Sequence, residues 1–315
     1  MPAPRILRRL KRALIALAAL LAVTVATLVA LTFPYDVDVP ASAKDLADAR
    51  QYYAEAYKAP ATEEPGTSAY ETRYIQLAKE AAGLAHIQEQ VQDFVNRFSL
   101  RKRPVLEMGS GRGYLQDVAE DYTGLDISSS VSRFYHKKFV LASATAMPFP
   151  DSRFDGAWSI WVLEHIPRPE HALREIRRVV RDGGVILLYP AWNCPSWNAG
   201  GYGERPYSDF SLAGKVIKAS IPVRSSLLFR AMCRIPARSL RALAASFGGP
   251  TTLHYRRLTP NYQTYWGTDA DAVSSIDKHE VALWFHSRGD ECSSCPGPVG
   301  TIFMKGGALI IRVHK

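Results

Sequence analysis

Arg103-Pro-Val-Leu-Glu-Met-Gly-Ser-Gly-Arg-Gly-Tyr114, continued by Gly124-Leu-Asp-Ile127, is the stretch that decides the fold. Val105, Leu106 and Met108 make a short apolar run that stops abruptly at Gly109, Gly111 and Gly113. A buried parallel strand ending in a glycine turn lets backbone N–H groups approach a ligand that no side chain would admit. A second apolar run, Tyr122 to Leu125, ends at Asp126, where a carboxylate is placed to grip ribose hydroxyls.

The alternation continues outward from there. Strands are expected at Pro104–Met108, Tyr122–Asp126, Lys138–Ala142, Phe154–Trp161 and Gly184–Tyr189, with helical stretches at Tyr114–Asp121, Ser128–Tyr135 and Glu170–Val180. Strands alternating with helices imply right-handed βαβ units, hence an α/β, Rossmann-like doubly wound sheet. Ligands of such sheets bind outside the carboxyl ends of the strands, where the glycine turn sits. The Gly-x-Gly-x-Gly spacing after Glu107 is not the Gly-x-Gly-x-x-Gly of nicotinamide enzymes, which argues against that class.

Three further motifs follow in order: Ala146-Met-Pro-Phe-Pro-Asp-Ser-Arg-Phe-Asp155, Trp161-Val-Leu-Glu-His-Ile-Pro167, and Arg174 through Gly183-Gly184 to Leu188. In this series the chain resembles the class I S-adenosylmethionine-dependent methyltransferases, type 11 branch, over about 90 residues. The resemblance implies S-adenosylmethionine as cofactor, with Glu107, Gly109, Ser110, Gly111 and Gly113 around its methionine part. Asp126 and the adjoining Ile127 would meet the ribose. Ser143, Ala144, Met147 and Phe149 would surround the adenine, and Ser159 to Trp161 would line the methyl-donor side. Glu164-His165 matches a frequent pair beyond the fourth strand. Ser143 stands where an acidic residue is usual, so a charge-assisted bond is lost there. Asp182-Gly183-Gly184 replaces Pro-Gly-Gly and still permits a tight turn. The family pattern also implies two more strands, Val281–His286 and Ala308–Val313, completing a seven-stranded sheet whose last strand is antiparallel.

Methyl transfer from a sulfonium needs mainly an in-line acceptor. A base is required only if the acceptor loses a proton, and His165 is the nearest catalytic candidate. Its bland alternative is a hydrogen-bonded structural histidine. No metal site is expected. Cys292-Ser-Ser-Cys295 has zinc or redox spacing but lacks a second close pair; in an oxidising compartment a disulfide is plausible there.

The rest of the chain locates this site. Its 315 residues, 47% hydrophobic and 22% charged, describe a globular protein and exclude a disordered one. The net charge of +9 is concentrated. Arg5, Arg8, Arg9, Lys11 and Arg12 crowd the N-terminus, and seven more cations lie between Lys215 and Arg241 without an acid among them. No nucleic-acid motif accompanies them, so a membrane partner is expected and nucleic acid is not. Ala13 to Phe33 carries no charge. Such a run suits a transmembrane helix of about 20 residues better than a cleaved signal's apolar core of about 7–15. Residues 1–33 thus read as a basic tail and single-pass anchor, and 34–100 as a linker and N-terminal helix opening at a capping box, Ser68 to Glu71. Residues 101–315 read as the methyltransferase domain, with an insertion at about 191–278. Charge asymmetry sends that domain out of the cytoplasm, whereas the donor is made inside, so a cytoplasm-facing domain is expected.

Within the insertion, residues 212–247 are helical in period, with breaks expected at Pro222 and Pro236. Arg230, Arg234, Arg238 and Arg241 form one face and leucines the other, a pattern of membrane-surface helices or of core helices with a solvated basic face. Aromatic residues between Trp192 and Tyr207 suit a sugar or flat acceptor. The expected function is a membrane-anchored methyltransferase acting on a lipid-linked, glycan or small-molecule acceptor. The alternative is a non-catalytic methyltransferase-like membrane module.

Overall fold

The computed structural model describes residues 3–32, 42–58, 69–297 and 300–315. Five parallel strands, β1 (Val105–Met108), β2 (Tyr122–Asp126), β3 (Lys138–Leu141), β4 (Phe154–Ile160) and β5 (Val180–Tyr189), lie within about one residue of the expected positions except at the start of β5. With β8 (Glu291–Cys292) and β9 (Leu309–Arg312) they form one seven-stranded sheet, ordered β3-β2-β1-β4-β5-β9-β8. β9 runs antiparallel to β5 and β8 antiparallel to β9. The central strands β1 and β2 are buried on both faces because helices and loops cover both, whereas β3 lies at an open edge. Leu106 and Met108 pack with Leu173 and Ile176 of helix α5 (Pro169–Val179). Val105 and Trp158 pack on the other face with Val91 and Phe94 of helix α4 (Ile87–Arg97).

The seventh strand is not where it was expected. Val281–His286 belongs to helix α8 (Lys278–His286), and the two-residue β8 takes the sheet position. Short apolar runs do not distinguish strand from buried helix. Here Asp277 decides, since its side chain caps the helix by accepting the His279 amide. The intervals after β1 and β2 hold only 3-10 turns, Gln116–Val118 and Ser129–Phe134, in place of the expected helices.

The helix expected to run from Ser68 is two helices, α3 (Ala69–Leu84) and α4, separated at His86, whose φ is 49°. Ser68 itself lies outside the described residues, as do residues 34–41 and 59–65. Within that linker, α2 (Ala43–Ala56) is a full helix, opened by a capping box between Ser42 and Asp45.

The expected transmembrane anchor over Ala13–Phe33 is not found. Among the described residues, no helix is long and apolar enough to cross a membrane. Helix α1 runs from Ala3 to Thr32. Phe33 lies outside the described residues.

The insertion holds helices α6 (Leu212–Ser225) and α7 (Leu227–Ala245), then a two-stranded ribbon of β6 (Tyr255–Arg257) and β7 (Ser274–Ile276). Pro222 and Pro236 sit inside the helices; the break falls at Ser226, whose hydroxyl accepts the Phe229 amide. The amphipathic expectation is inverted here. Arg238 and Arg241 of α7 turn inward onto Asp277 and Glu280, both at 2.9 Å, while Leu228 and Leu243 face outward. Cys292 and Cys295 are joined as a disulfide, so this pair is not a zinc site.

Candidate active site

Three glycines at positive φ, Gly109 (74°), Gly111 (47°) and Gly113 (69°), turn the chain at the carboxyl end of β1. A Cβ on Gly109 would come within 2.3 Å of Val162, so the turn closes only with glycine there. The turn is tied to β2 because Gly109 and Ser110 both donate to the Leu125 carbonyl, at 2.8 and 3.0 Å.

Asp126 lies directly beside this turn. Its Oδ2 accepts the Gly111 amide and its Oδ1 the Ser128 amide, each at 2.8 Å. Burial pushes its carboxyl above the ordinary range, against the opposing pull of the Ser128 and Gly111 amides. A carboxylate offers about four lone-pair sites, so its amide partners leave room for a ribose hydroxyl. The geometry fits the donor expected here: an anchored acid and a turn free of Cβ atoms at one strand edge.

The other residues expected to meet the donor are placed unevenly. The Glu107 carboxylate is buried beneath the turn, where it accepts the Tyr122 hydroxyl at 2.5 Å. Burial raises its pKa to about 8, opposed by Tyr122 and Trp158. Its side chain thus supports the turn from below. Ile127 packs against Tyr53 and its neighbours on α2. Ser143 and Ala144 follow β3 and are half-buried; the Ser143 hydroxyl is 2.8 Å from that of Thr145. Met147 turns its side chain into the core, and its amide donates to Glu175 at 2.7 Å. Ser159 is buried with no hydrogen-bond partner for its hydroxyl, and Trp161, at φ 53°, ends β4 in the left-handed region. That is uncommon for a non-glycine residue and is held by its amide donating to the Tyr189 carbonyl.

Beyond β4 lies a second cluster that the sequence foretold only through Glu164 and His165. The insertion returns to supply Asp269 and Asp271. His165 Nδ1 stands 3.4 Å from Asp271 Oδ2. Burial depresses the imidazole pKa, but Asp271, Glu164 and Asp269 together outweigh it, so the net shift is upward. Glu164 is fully buried. Its Oε1 accepts the Ala191 amide, its Oε2 has no hydrogen-bond partner, and burial raises its pKa to about 7. Glu164, His165 and Asp269 each offer a ligand atom within 4.8 Å of the others, so this set could hold a metal ion.

Helix α2 joins the two clusters. Tyr53 accepts the Ser128 hydroxyl at its carbonyl (3.2 Å), two residues from Asp126. Its own hydroxyl donates to Asp271 at 3.0 Å, and its ring meets His165 edge-on at 5.9 Å. Nearby, Arg112 of the turn donates to the Tyr57 carbonyl at 3.0 Å. Sequence reading missed Tyr53, Tyr135, Asp269 and Asp271. Tyr135 packs its ring on Gly113 and Gly124, with its hydroxyl 2.7 Å from that of Ser110. Small residues at Gly113 and Gly124 were its only trace in the sequence.

Residues 106–188 match the family model described as a methyltransferase domain. A protein of Mycolicibacterium gilvum described as an uncharacterized methyltransferase is 31% identical over 214 residues, covering 58% of this chain and 75% of that one. A fatty-acid O-methyltransferase of Mycolicibacterium smegmatis is 34% identical over 109 residues, 30% of this chain. The chain spans only 40% of that relative's length. Among solved structures, a Burkholderia thailandensis 1,6-didemethyltoxoflavin-N1-methyltransferase is similar over 90% of this chain and 94% of its own, with 13% identity and a TM-score of 0.46. With the glycine turn, the β2 acid and the sheet order in place, the chain belongs to the class I S-adenosylmethionine-dependent methyltransferases.

Proposed function

We propose that the protein binds S-adenosylmethionine between Gly109–Gly113 and Asp126, and methylates an acceptor at a membrane surface while His165 takes the acceptor's proton. The bound donor supplies an electrophilic methyl group on sulfur. The chain's own residues do the rest: Asp126 and the turn fix the donor, Tyr53 spans both clusters, and Asp271 orients the imidazole. The observation that carries the reading is the Tyr53 bridge, which brings a histidine–aspartate pair next to the ribose acid. Orientation of this kind is the main contribution a methyltransferase makes.

The membrane part rests on the uncharged run from Ala13 and on the outward leucines of α1 and α7, two helices in contact with each other. Leu14, Leu17 and Leu20 of α1 and Leu228 and Leu243 of α7 are each more than half exposed. Such a patch marks an interaction surface. The fatty-acid enzyme among the relatives supports an acceptor with an apolar part. The test is a screen of membrane and glycan extracts with radiolabelled donor. Label in a lipid-extractable product supports the proposal, and label confined to water-soluble products removes its membrane half.

For the side of the membrane, the proposal keeps the domain in the cytoplasm, with its donor. The Cys292–Cys295 disulfide favours the opposite reading, because such bonds persist in oxidising compartments. Labelling of intact cells with an impermeant maleimide after mild reduction separates them. Rapid modification of Cys292 and Cys295 places the domain outside.

A further inference from the structure

Two cavities of about 270 and 160 Å³ lie between α7 and the loop after β5, and both are lined by Arg230, Arg234 and Arg238. The larger cavity shares one wall residue, Asp269, with the cluster around His165.

Its charge is unbalanced. Asp277 neutralises Arg238, and Glu280 is taken by Arg241. Arg230 and Arg234 have no carboxylate within salt-bridge distance among the described residues, and the same holds for Arg224 and Arg256 on the wall of the smaller cavity. Lys278 adds a buried ammonium to the larger one, bonded among the described residues only to the Gly306 carbonyl at 3.2 Å. Desolvation and the neighbouring Arg238 and Arg230 all disfavour the Arg234 cation, with Asp277 alone opposing among the larger influences. Arg230 lies at the exposed rim, but Arg234 and Lys278 are partly or wholly withdrawn from water, and cations so placed without counterions are costly and call for an anion. One carboxylate would leave most of this charge unmatched. A phosphate or pyrophosphate matches it, and a planar guanidinium is suited to bidentate contact with such a group.

We propose that this cavity holds a phosphate or pyrophosphate group of the methyl acceptor, gripped by Arg230, Arg234 and Lys278, with the acceptor's nucleophile directed toward His165. The inference deepens, and rests on, the reading of the adjoining cleft as a methyl-donor site. It also explains the inverted α7: the arginine face grips the anion while the leucine face lies outward, where a lipid-linked acceptor would run.

The test uses the full chain in detergent, saturated with S-adenosylhomocysteine and titrated with inorganic pyrophosphate in a calorimeter. Saturable binding is expected, weakening as salt rises and at least tenfold weaker in Arg230→Gln/Arg234→Gln. The same variant keeps its affinity for S-adenosylhomocysteine and its melting temperature. A charge-matched control, Arg8→Gln/Arg9→Gln on α1, keeps the pyrophosphate affinity. No pyrophosphate binding by protein that holds S-adenosylhomocysteine, or equal affinity in the cavity variant, overturns the proposal. Failure to bind S-adenosylhomocysteine overturns the donor reading instead.

A second arm asks where the phosphate comes from. Full chain is floated with phosphatidylcholine vesicles, with and without phosphatidic acid. Phosphatidic-acid-dependent flotation that the Arg230/Arg234 variant loses supports a lipid headgroup. Pyrophosphate binding without that dependence supports a water-soluble phosphorylated acceptor. Flotation that the cavity variant fully retains, with no pyrophosphate binding, overturns both.

Discussion

The Tyr53 hydroxyl donates to Oδ2 of Asp271 at 3.0 Å, across 218 residues of chain. The same oxygen lies 3.4 Å from Nδ1 of His165, so one carboxylate ties a helix before the sheet to a histidine after β4. Tyr53→Phe removes that donor from a buried acid. Loss of a bond to a charged group costs about 1.5–3 kcal/mol. Methyl transfer is expected to fall about tenfold or more in kcat, with donor affinity nearly unchanged. Steady-state kinetics beside a calorimetric titration separates the two effects, and an equal loss of donor affinity would make Tyr53 a mere cofactor lid.

His165 gives a pH signature. Its pKa is raised by Asp271, Glu164 and Asp269 against the effect of burial. A general base works when unprotonated, so kcat is expected to rise with pH through a limb above the ordinary histidine value of about 6.5. Asp271→Asn removes the leading upward influence and moves the limb to lower pH. His165→Asn abolishes the limb and lowers kcat by about 10²–10⁴. A limb that survives in His165→Asn assigns the proton to another group, with Glu164 next in line.

Asp126→Ala leaves the Gly111 and Ser128 amides without their acceptor and removes the ribose acid. Donor affinity is expected to weaken about ten- to a hundredfold, following about 1.5–3 kcal/mol for hydrogen bonds to a charged group. Titration with S-adenosylmethionine reads this directly. Affinity within twofold of wild type places the ribose elsewhere.

Gly109→Ala forces a Cβ to within 2.3 Å of Val162 at a φ of 74°. Backbone strain of about 1–3 kcal/mol is expected, visible as a lower melting temperature and weakened donor binding. Gly203→Ala meets no atom within 4 Å and serves as the control.

Glu164, His165 and Asp269 stand close enough to hold a metal. Two features oppose that role. His165 Nδ1 faces Asp271, and burial raises the Glu164 pKa to about 7, so its carboxyl is only partly ionised near neutrality. Methyl transfer is therefore expected to persist after dialysis against EDTA. Activity lost to EDTA and restored by a divalent ion would convert the cluster into a metal centre.

Local rules in the sequence determined the first four strands, the glycine turn and the acid facing it. The run Val105–Met108 into three glycines and the acid closing Tyr122–Asp126 are written in neighbouring residues, because a positive φ and a buried parallel strand each demand particular side chains at fixed spacing. Those elements lie where the pattern placed them. Other features depended on long-range packing. Val281–His286 reads equally as strand or helix until Arg238 and Arg241 reach Asp277 and Glu280 beside it. The arginines of α7 look like a solvated or lipid-facing stripe until the sheet shows which side of the helix is inside. Tyr53, Asp269 and Asp271 carry no motif, since their roles arise only where α2 and the insertion fold back over His165. The glycine turn and the acid facing it were thus settled locally, by backbone conformation within about twenty residues. The cluster around His165 and the arginine-lined cavities were settled by folding, because their charges come from segments far apart in the chain and acquire their chemistry only when burial brings them together.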